Sequence, residues 1–131
     1  TMAKEKNLWL LVRDNLKDFH LQRIETGMTG SGVPDVNGCY AGVEFWLELK
    51  DVPAGSNKIG LRVMQVSRIA RRVAHGGKVF VLARKLNKLY LYHIQVKDDI
   101  IELVDNGITC PPDLLLEIPY EWNALGRALL S

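Results

Sequence analysis

The chain has 131 residues, 47% of them hydrophobic and 24% charged, which is enough for one compact domain with a substantial core and too little for two. With 17 basic and 15 acidic residues the net charge is only +2, so any binding of nucleic acid must rely on a local concentration of positive charge. The sequence has no run of about 18 apolar residues and no basic start that leads into an apolar signal segment, so we expect a soluble, cytoplasmic protein without a membrane partner.

The first predicted element is an amphipathic helix over residues 5–19. Its inward stripe has spacings of three and four residues and consists of Leu8, Leu11, Val12, Asn15, Leu16 and Phe19. Glu5 lies one turn before this stripe, where it could reach a metal site or be an ordinary acidic residue of a first helical turn. Glu25 competes with Glu5 for the metal-site role.

Residues 26–32 form a segment rich in glycine and hydroxyl side chains. Its backbone N–H groups and the hydroxyls of Thr29 and Ser31 suit contact with nucleic-acid phosphates, and the alternative is a flexible connector. It is not a P-loop, because the pattern GxxxxGK[ST] is absent.

The next two strands form a predicted hairpin. Pro34-Asp35 leads into the first strand, Tyr40-Ala41-Gly42 makes the turn, and Val43–Lys50 alternates along the second strand. Because a strand sends successive side chains to opposite faces, Glu48 and Lys50 point to one face, and the other face is filled by Phe45, Leu47 and Leu49.

The end of this hairpin concentrates the residue types of a divalent-metal site. Asp35, Glu48 and the carbonyl of Leu49 offer the oxygen ligands that Mg²⁺ prefers, and Mn²⁺ is also possible. Lys50 could orient or deprotonate an attacking water and offset the charge that develops on a phosphate during hydrolysis. The alternative is an exposed strand end with a surface ion pair between Glu48 and Lys50.

Residues 61–75 are predicted to form a helix with one apolar and one cationic face. We expect Leu61, Met64, Val66, Ile69 and Val73 on the apolar face. Its arginines suit a nucleic-acid backbone, and a merely solvated basic face is the alternative. The residues expected to contact DNA here and in the preceding loop are Lys58, Arg62, Arg68 and Arg72.

The rest of the chain completes an α/β prediction. Residues 78–84 and 88–94 read as a second hairpin around Leu86-Asn87, so the order helix, strand, strand, helix, strand, strand predicts a mixed sheet flanked by helices. We expect a single domain over residues 1–131, with a core at about 3–95 and a C-terminal extension at about 96–131. The extension ends in a helix over residues 121–130, and its leucines either cover one end of the sheet or form a homodimer interface.

These segments resemble the PD-(D/E)XK nuclease superfamily. Within it the chain is similar to stand-alone virus-type replication-repair (VRR-Nuc) domains and phage Holliday junction resolvases, over about the first 85 residues. The motifs that carry the resemblance are Gly32-Val33-Pro34-Asp35, Phe45-Trp46-Leu47-Glu48-Leu49-Lys50 and Gln65 on the following helix.

The resemblance implies a restriction-endonuclease-like fold and a metal-dependent endonuclease that acts on DNA. Asp35 and Glu48 would bind Mg²⁺ or Mn²⁺, Lys50 would position the water, Glu5 would add a carboxylate and Gln65 would be the polar residue after the site. We therefore expect cleavage of branched DNA, such as a Holliday junction, by a homodimer of phage or viral type. The alternative is a nucleic-acid-binding module that does not cut.

Overall fold

The computed structural model describes residues 7–25 and 32–131, so Glu5, Thr29 and Ser31 lie outside the described residues. No helix within these two ranges combines the length and the apolarity needed to cross a membrane. The elements are, in chain order, α1 (Leu8–Asn15), β1 (His20–Arg23), β2 (Val36–Tyr40), β3 (Val43–Asp51), α2 (Val63–Ala74), β4 (Val79–Lys85), β5 (Lys88–Ile94), α3 (Lys97–Asn106), a 3₁₀ turn (Gly107–Thr109), β6 (Leu114–Leu116) and α4 (Trp122–Leu130).

The six strands form one sheet in which they lie side by side in chain order. All neighbours are antiparallel except β3 and β4, which are parallel and are joined by a crossover through α2. A parallel pair needs such a crossover, which brings α2 onto the sheet directly beside β3. The predicted α/β fold with a central mixed sheet is therefore confirmed.

Helices cover both faces of the sheet. On one face α1 and α4 pack on side chains that include Phe45 and Leu47, and the buried helix residues are Leu8, Val12, Leu125 and Leu129. On the other face α2 and α3 pack on β4 and β5, and their buried residues are Ile69, Val73, Ile100 and Leu103. Each Å² of apolar surface that is buried on either face stabilises the fold by about 25 cal/mol, which favours this three-layer arrangement.

The β2–β3 hairpin has a tight two-residue turn. Ala41 and Gly42 both have positive φ, 51° and 81°, which is the arrangement of the hairpin turns whose twist matches that of the strands. The register pairs Val36 with Leu47 and Gly38 with Phe45. Glycine is required at residue 38, because a Cβ there would overlap the Phe45 ring.

Several element boundaries differ from the prediction. The first helix is shorter than residues 5–19, because Asn7 caps it through a hydrogen bond from Trp9 N and Leu16 ends it. The helix predicted at residues 61–75 begins at Val63 and ends at Ala74, whereas β5 has the predicted bounds. Elements β1, α3 and β6 were not predicted, since β1 and β6 are only four and three residues long and α3 buries only two side chains.

The C-terminal helix contributes to the core. Leu125 and Leu129 are fully buried, so these two leucines cover the sheet, which is one of the two roles considered for them. In the C-terminal extension the large apolar side chains that stay exposed, and so remain available for a partner, are Val96, Ile101, Leu115 and Ile118.

Candidate metal and nucleic-acid site

The site lies where β2 stops and β3 continues. At this end of the hairpin the first residue of β2, Val36, pairs with Leu47, and β3 runs on beyond that pair to Asp51. Asp35 stands just before β2, and its Oδ2 accepts a hydrogen bond of 2.8 Å from the backbone N–H of Leu49. The Asp35 side chain therefore takes the place of the missing strand partner, which ties it to the end of β3.

The backbone of Leu49 faces this same opening. On the other edge of β3, Trp46 N donates to Lys78 O, just before β4, and Val52 N donates to Arg84 O in β4. Since the N–H and C=O of one residue share a side and successive residues alternate, the Leu49 carbonyl points away from β4, toward Asp35. A carbonyl oxygen is thus directed to the open edge beside a carboxylate.

Glu48 is the central residue of the site and is almost fully buried, with 1% of its surface exposed. Its Oε2 accepts a hydrogen bond of 2.9 Å from Gln65 Nε2 and lies 3.6 Å from Lys50 Nζ. Its Oε1 is also buried and has no donor within the described part of the chain. A buried carboxylate oxygen without a partner is costly, so this atom requires a proton or a cation.

The environment of Glu48 strongly disfavours its negative charge. Burial and the nearby charge of Asp35 raise the pKa of the Glu48 carboxyl to about 8, although Lys50 acts in the opposite direction. At neutral pH the carboxyl therefore holds a proton next to Asp35. A divalent cation at the same place would satisfy both carboxylates and the free Oε1 atom.

Gln65 connects the charged groups. Its Oε1 accepts hydrogen bonds of 2.9 Å from Lys50 Nζ and from Arg62 N, while its Nε2 donates to Glu48. Lys50 Nζ also donates to Gly60 O at 2.9 Å. Two acceptors thus hold the Lys50 ammonium beside Glu48, and its third N–H remains for a water or a phosphate oxygen.

Helix α2 is rotated relative to the predicted face. Its buried residues are Gln65, Ile69 and Val73, whereas Met64 is 50% exposed, so the prediction that Met64 faces the core is wrong. The hydrogen bonds that Gln65 makes to Glu48 and Lys50 draw this polar residue inward, and Met64 is turned out as a result.

The predicted DNA-contacting residues lie on the outer side of α2 and on the loop before it. Lys58, Arg62, Arg68 and Arg72 are all exposed, and Arg62 directly precedes α2. Arg68 and Arg72 line a cleft of about 480 Å³ beside Pro34.

Two further residues line this cleft, Arg71 and Trp46, and neither was among the residues expected to contact DNA. The Arg72 guanidinium lies 5.6 Å from the centre of the Trp46 ring. The alternating pattern of β3 did place Trp46 on the face of Glu48, and that pattern was the signal that could have found it.

The oxygen ligands fit a hard divalent cation. Asp35, Glu48 and the Leu49 carbonyl are the donor types that Mg²⁺ and Mn²⁺ take, with further positions left for water. Within residues 7–25 and 32–131, no three His, Cys, Asp or Glu side chains come together as a ready metal cage, and Glu25 is exposed. Arg23, which the sequence analysis did not single out, lies 3.5 Å from Asp35 Oδ1.

Comparisons with known proteins add a structural likeness. No protein-family model matches the chain, and no curated protein matches it. Among solved structures, the Holliday junction resolvase Hjc of the archaeal hyperthermophile Archaeoglobus fulgidus is similar at 16% identity, over 66% of this chain and 72% of the resolvase, with a TM-score of 0.48. At this identity and TM-score the likeness carries no argument about activity, which has to be made from the residues of the site.

Proposed function

We propose that the chain is a divalent-metal-dependent endonuclease of the PD-(D/E)XK type that hydrolyses phosphodiester bonds in DNA. The observation that carries this proposal is the pairing of Asp35 with a buried Glu48 whose Oε1 has no donor among the described residues. A buried carboxyl whose negative charge is disfavoured by burial and by a neighbouring carboxylate, beside a held ammonium group, provides the parts of a cation site for phosphate chemistry.

Each residue has a separate part in the reaction. Asp35, Glu48 and the Leu49 carbonyl would hold Mg²⁺ or Mn²⁺, which supplies Lewis-acid stabilisation of the phosphate and lowers the pKa of a water. Lys50 donates its remaining N–H to the attacking water or to a non-bridging phosphate oxygen, where negative charge grows in the transition state. Gln65 fixes the direction of the Lys50 and Glu48 side chains and so keeps this geometry.

The substrate we propose is branched DNA. The exposed arginines of α2 lie next to the site, and no acidic residue occurs in α2 to repel phosphates. Paired cuts at a four-way junction require two active sites, so we propose a homodimer for that activity. A role in phage or viral replication, recombination or repair follows from the resemblance stated above.

A cleavage assay tests the proposal. The protein is incubated with four-way junction, flap, fork and linear duplex DNA in Mg²⁺, Mn²⁺ or EDTA, alongside Glu48→Gln. The matched control is Glu44→Gln, which changes an exposed glutamate of the same strand. We expect cutting by the wild type and by Glu44→Gln in metal, and none by Glu48→Gln or in EDTA.

The substrates separate the finer alternatives. Symmetric paired cuts confined to the four-way junction support a dimeric resolvase, and cuts in flaps or forks support a nuclease of another structural preference. Binding without any cutting in either metal would contradict the proposed activity and favour a non-catalytic nucleic-acid-binding module.

A further inference from the structure

We propose that the cleft lined by Trp46, Arg68, Arg71 and Arg72 binds one unpaired nucleotide next to the phosphate that is cut. Its place in the reaction rests on the proposed nuclease function, but the binding itself does not. The substrate feature that this cleft would select is an unpaired base close to the cleavage position.

The cleft has the size and the walls of a small-ligand site. Its volume is about 480 Å³, within the range of roughly 300–1,000 Å³ usual for such sites. One wall is the segment Val33-Pro34, which leads directly into Asp35, and the opposite wall is the outer side of α2. The cleft therefore lies directly next to Asp35 in the chain.

The charge of the cleft fits a phosphate. Three arginines and His75 line it, and no carboxylate does. Arg68 and Arg71 form no ion pair with the acidic residues in the described part of the chain. Guanidinium groups that lack an internal partner are available to bind phosphate oxygens in a bidentate manner.

The aromatic group of the cleft fits a base. Trp46 is only partly buried, and the guanidinium of Arg72 lies over its ring. Planar aromatic and guanidinium groups next to unpaired cations are the combination with which proteins bind single-stranded nucleic acid, by stacking and backbone contacts. A tryptophan that served only to fill the core would not be expected beside an open cleft with unpaired arginines.

The position of the cleft links it to the cut. Trp46 is two residues before Glu48 on the same face of β3, a distance of about 7 Å along the strand. Helix α2 runs antiparallel to β3. Gln65, near its start, therefore lies beside Glu48, and Arg72, near its end, lies beside Trp46. A base can enter a cleft of this kind only when it is not paired, and branch points and flaps provide such a base.

Binding measurements without metal test the proposal independently of cutting. Fluorescence anisotropy in EDTA gives the Kd for a labelled single-stranded oligonucleotide and for a blunt duplex. The variants are Trp46→Leu, Trp46→Phe and the double change Arg68→Gln with Arg71→Gln. The control is Arg127→Gln, an exposed arginine of α4 on the other face of the sheet.

We expect Trp46→Leu to weaken single-strand binding by roughly 5- to 150-fold, the value of one stacked base, with less effect on the duplex. Trp46→Phe should restore most of the loss, and Arg127→Gln should bind as the wild type. Thermal unfolding shows whether each variant is folded. If Trp46→Leu does not fold, the double variant Arg68→Gln with Arg71→Gln still tests the cleft, because both arginines are exposed.

Two results would overturn the proposal. One is an equal loss of affinity for single strand and duplex in the double variant Arg68→Gln with Arg71→Gln. The other is an unchanged affinity for single strand in a folded Trp46→Leu variant. Competition by a free deoxynucleoside monophosphate distinguishes a site for soluble nucleotides from one for a nucleotide within a strand. If the wild type cuts no DNA but the single-strand preference persists, the proposed nuclease function fails while the cleft assignment stands.

Discussion

Glu48→Gln should stabilise the metal-free protein and remove most of the pH dependence of its stability. Wild-type Glu48 has its pKa raised from 4.5 to about 8 in the folded protein, mainly because it is buried. The folded state therefore binds more protons than the unfolded state between these two pH values. By linkage, the free energy of unfolding falls as pH rises from about 4.5 to about 8.

The size of the effect follows from the two pKa values. Each pH unit in this window costs up to about 1.4 kcal/mol, so at pH 7 the buried carboxyl reduces stability by up to about 3 kcal/mol. Glutamine has the same shape but no charge, so Glu48→Gln should regain most of that amount. For a chain of this length the gain corresponds to a rise in Tm on the order of 10 °C.

The assay is thermal or urea unfolding in EDTA at several pH values from 5 to 9. The wild type and Glu44→Gln should lose stability with pH, while Glu48→Gln should show a much flatter curve. Adding Mg²⁺ or Mn²⁺ should stabilise the wild type, more at pH 8 than at pH 6 because cation binding displaces the proton of Glu48, and should leave Glu48→Gln unchanged.

Two outcomes would refute this reasoning. One is a wild-type stability that does not change between pH 5 and 8. The other is a Glu48→Gln variant that is less stable than the wild type at pH 8, since the carboxylate would then be a favourable partner in the site rather than a buried charge.

Substitutions at four further positions test other parts of the site. Asp35→Asn keeps an acceptor for the Leu49 N–H and should abolish cutting with little loss of stability, whereas Asp35→Ala should cost about 1 kcal/mol more in urea unfolding. Gln65→Ala should lower kcat by roughly 10- to 100-fold and destabilise the protein by about 1–3 kcal/mol, and retention of wild-type kcat would disprove its orienting role. Arg68→Gln and Arg72→Gln should each weaken binding of single-stranded DNA and reduce the slope of log K against log salt by about 0.7, which a salt titration measures.

The parts of the site carried by local sequence patterns were predictable. The alternation from Val43 to Lys50 placed Glu48 and Lys50 on one face, and the structure has them 3.6 Å apart at their charged atoms. The turn at Ala41-Gly42 was also predicted, so Asp35 and Glu48 could be expected at one end of a hairpin. Such predictions succeed because they depend on the period of a strand and on the residues of a short turn.

The parts that depend on tertiary packing were not predictable. The rotation of α2 that buries Gln65 and exposes Met64 is set by hydrogen bonds to a strand 15 and 17 residues away in sequence. The arginine cleft exists only because α2 runs antiparallel beside β3, and no local pattern contains that information. Arg23 reaches Asp35 through β1, which is too short and too exposed to recognise as a strand.

The length of the β2–β3 turn limits which insertions this protein can tolerate. Ala41 and Gly42 touch neither carboxylate, yet the turn sets which residue of β3 lies opposite Asp35. Lengthening the loop by one residue would favour a different alignment and separate the Asp35 carboxylate from the Leu49 amide, with every residue of the site still present. A related sequence that retains every residue of the proposed site can therefore still lack the site geometry, because the number of residues between them is also constrained.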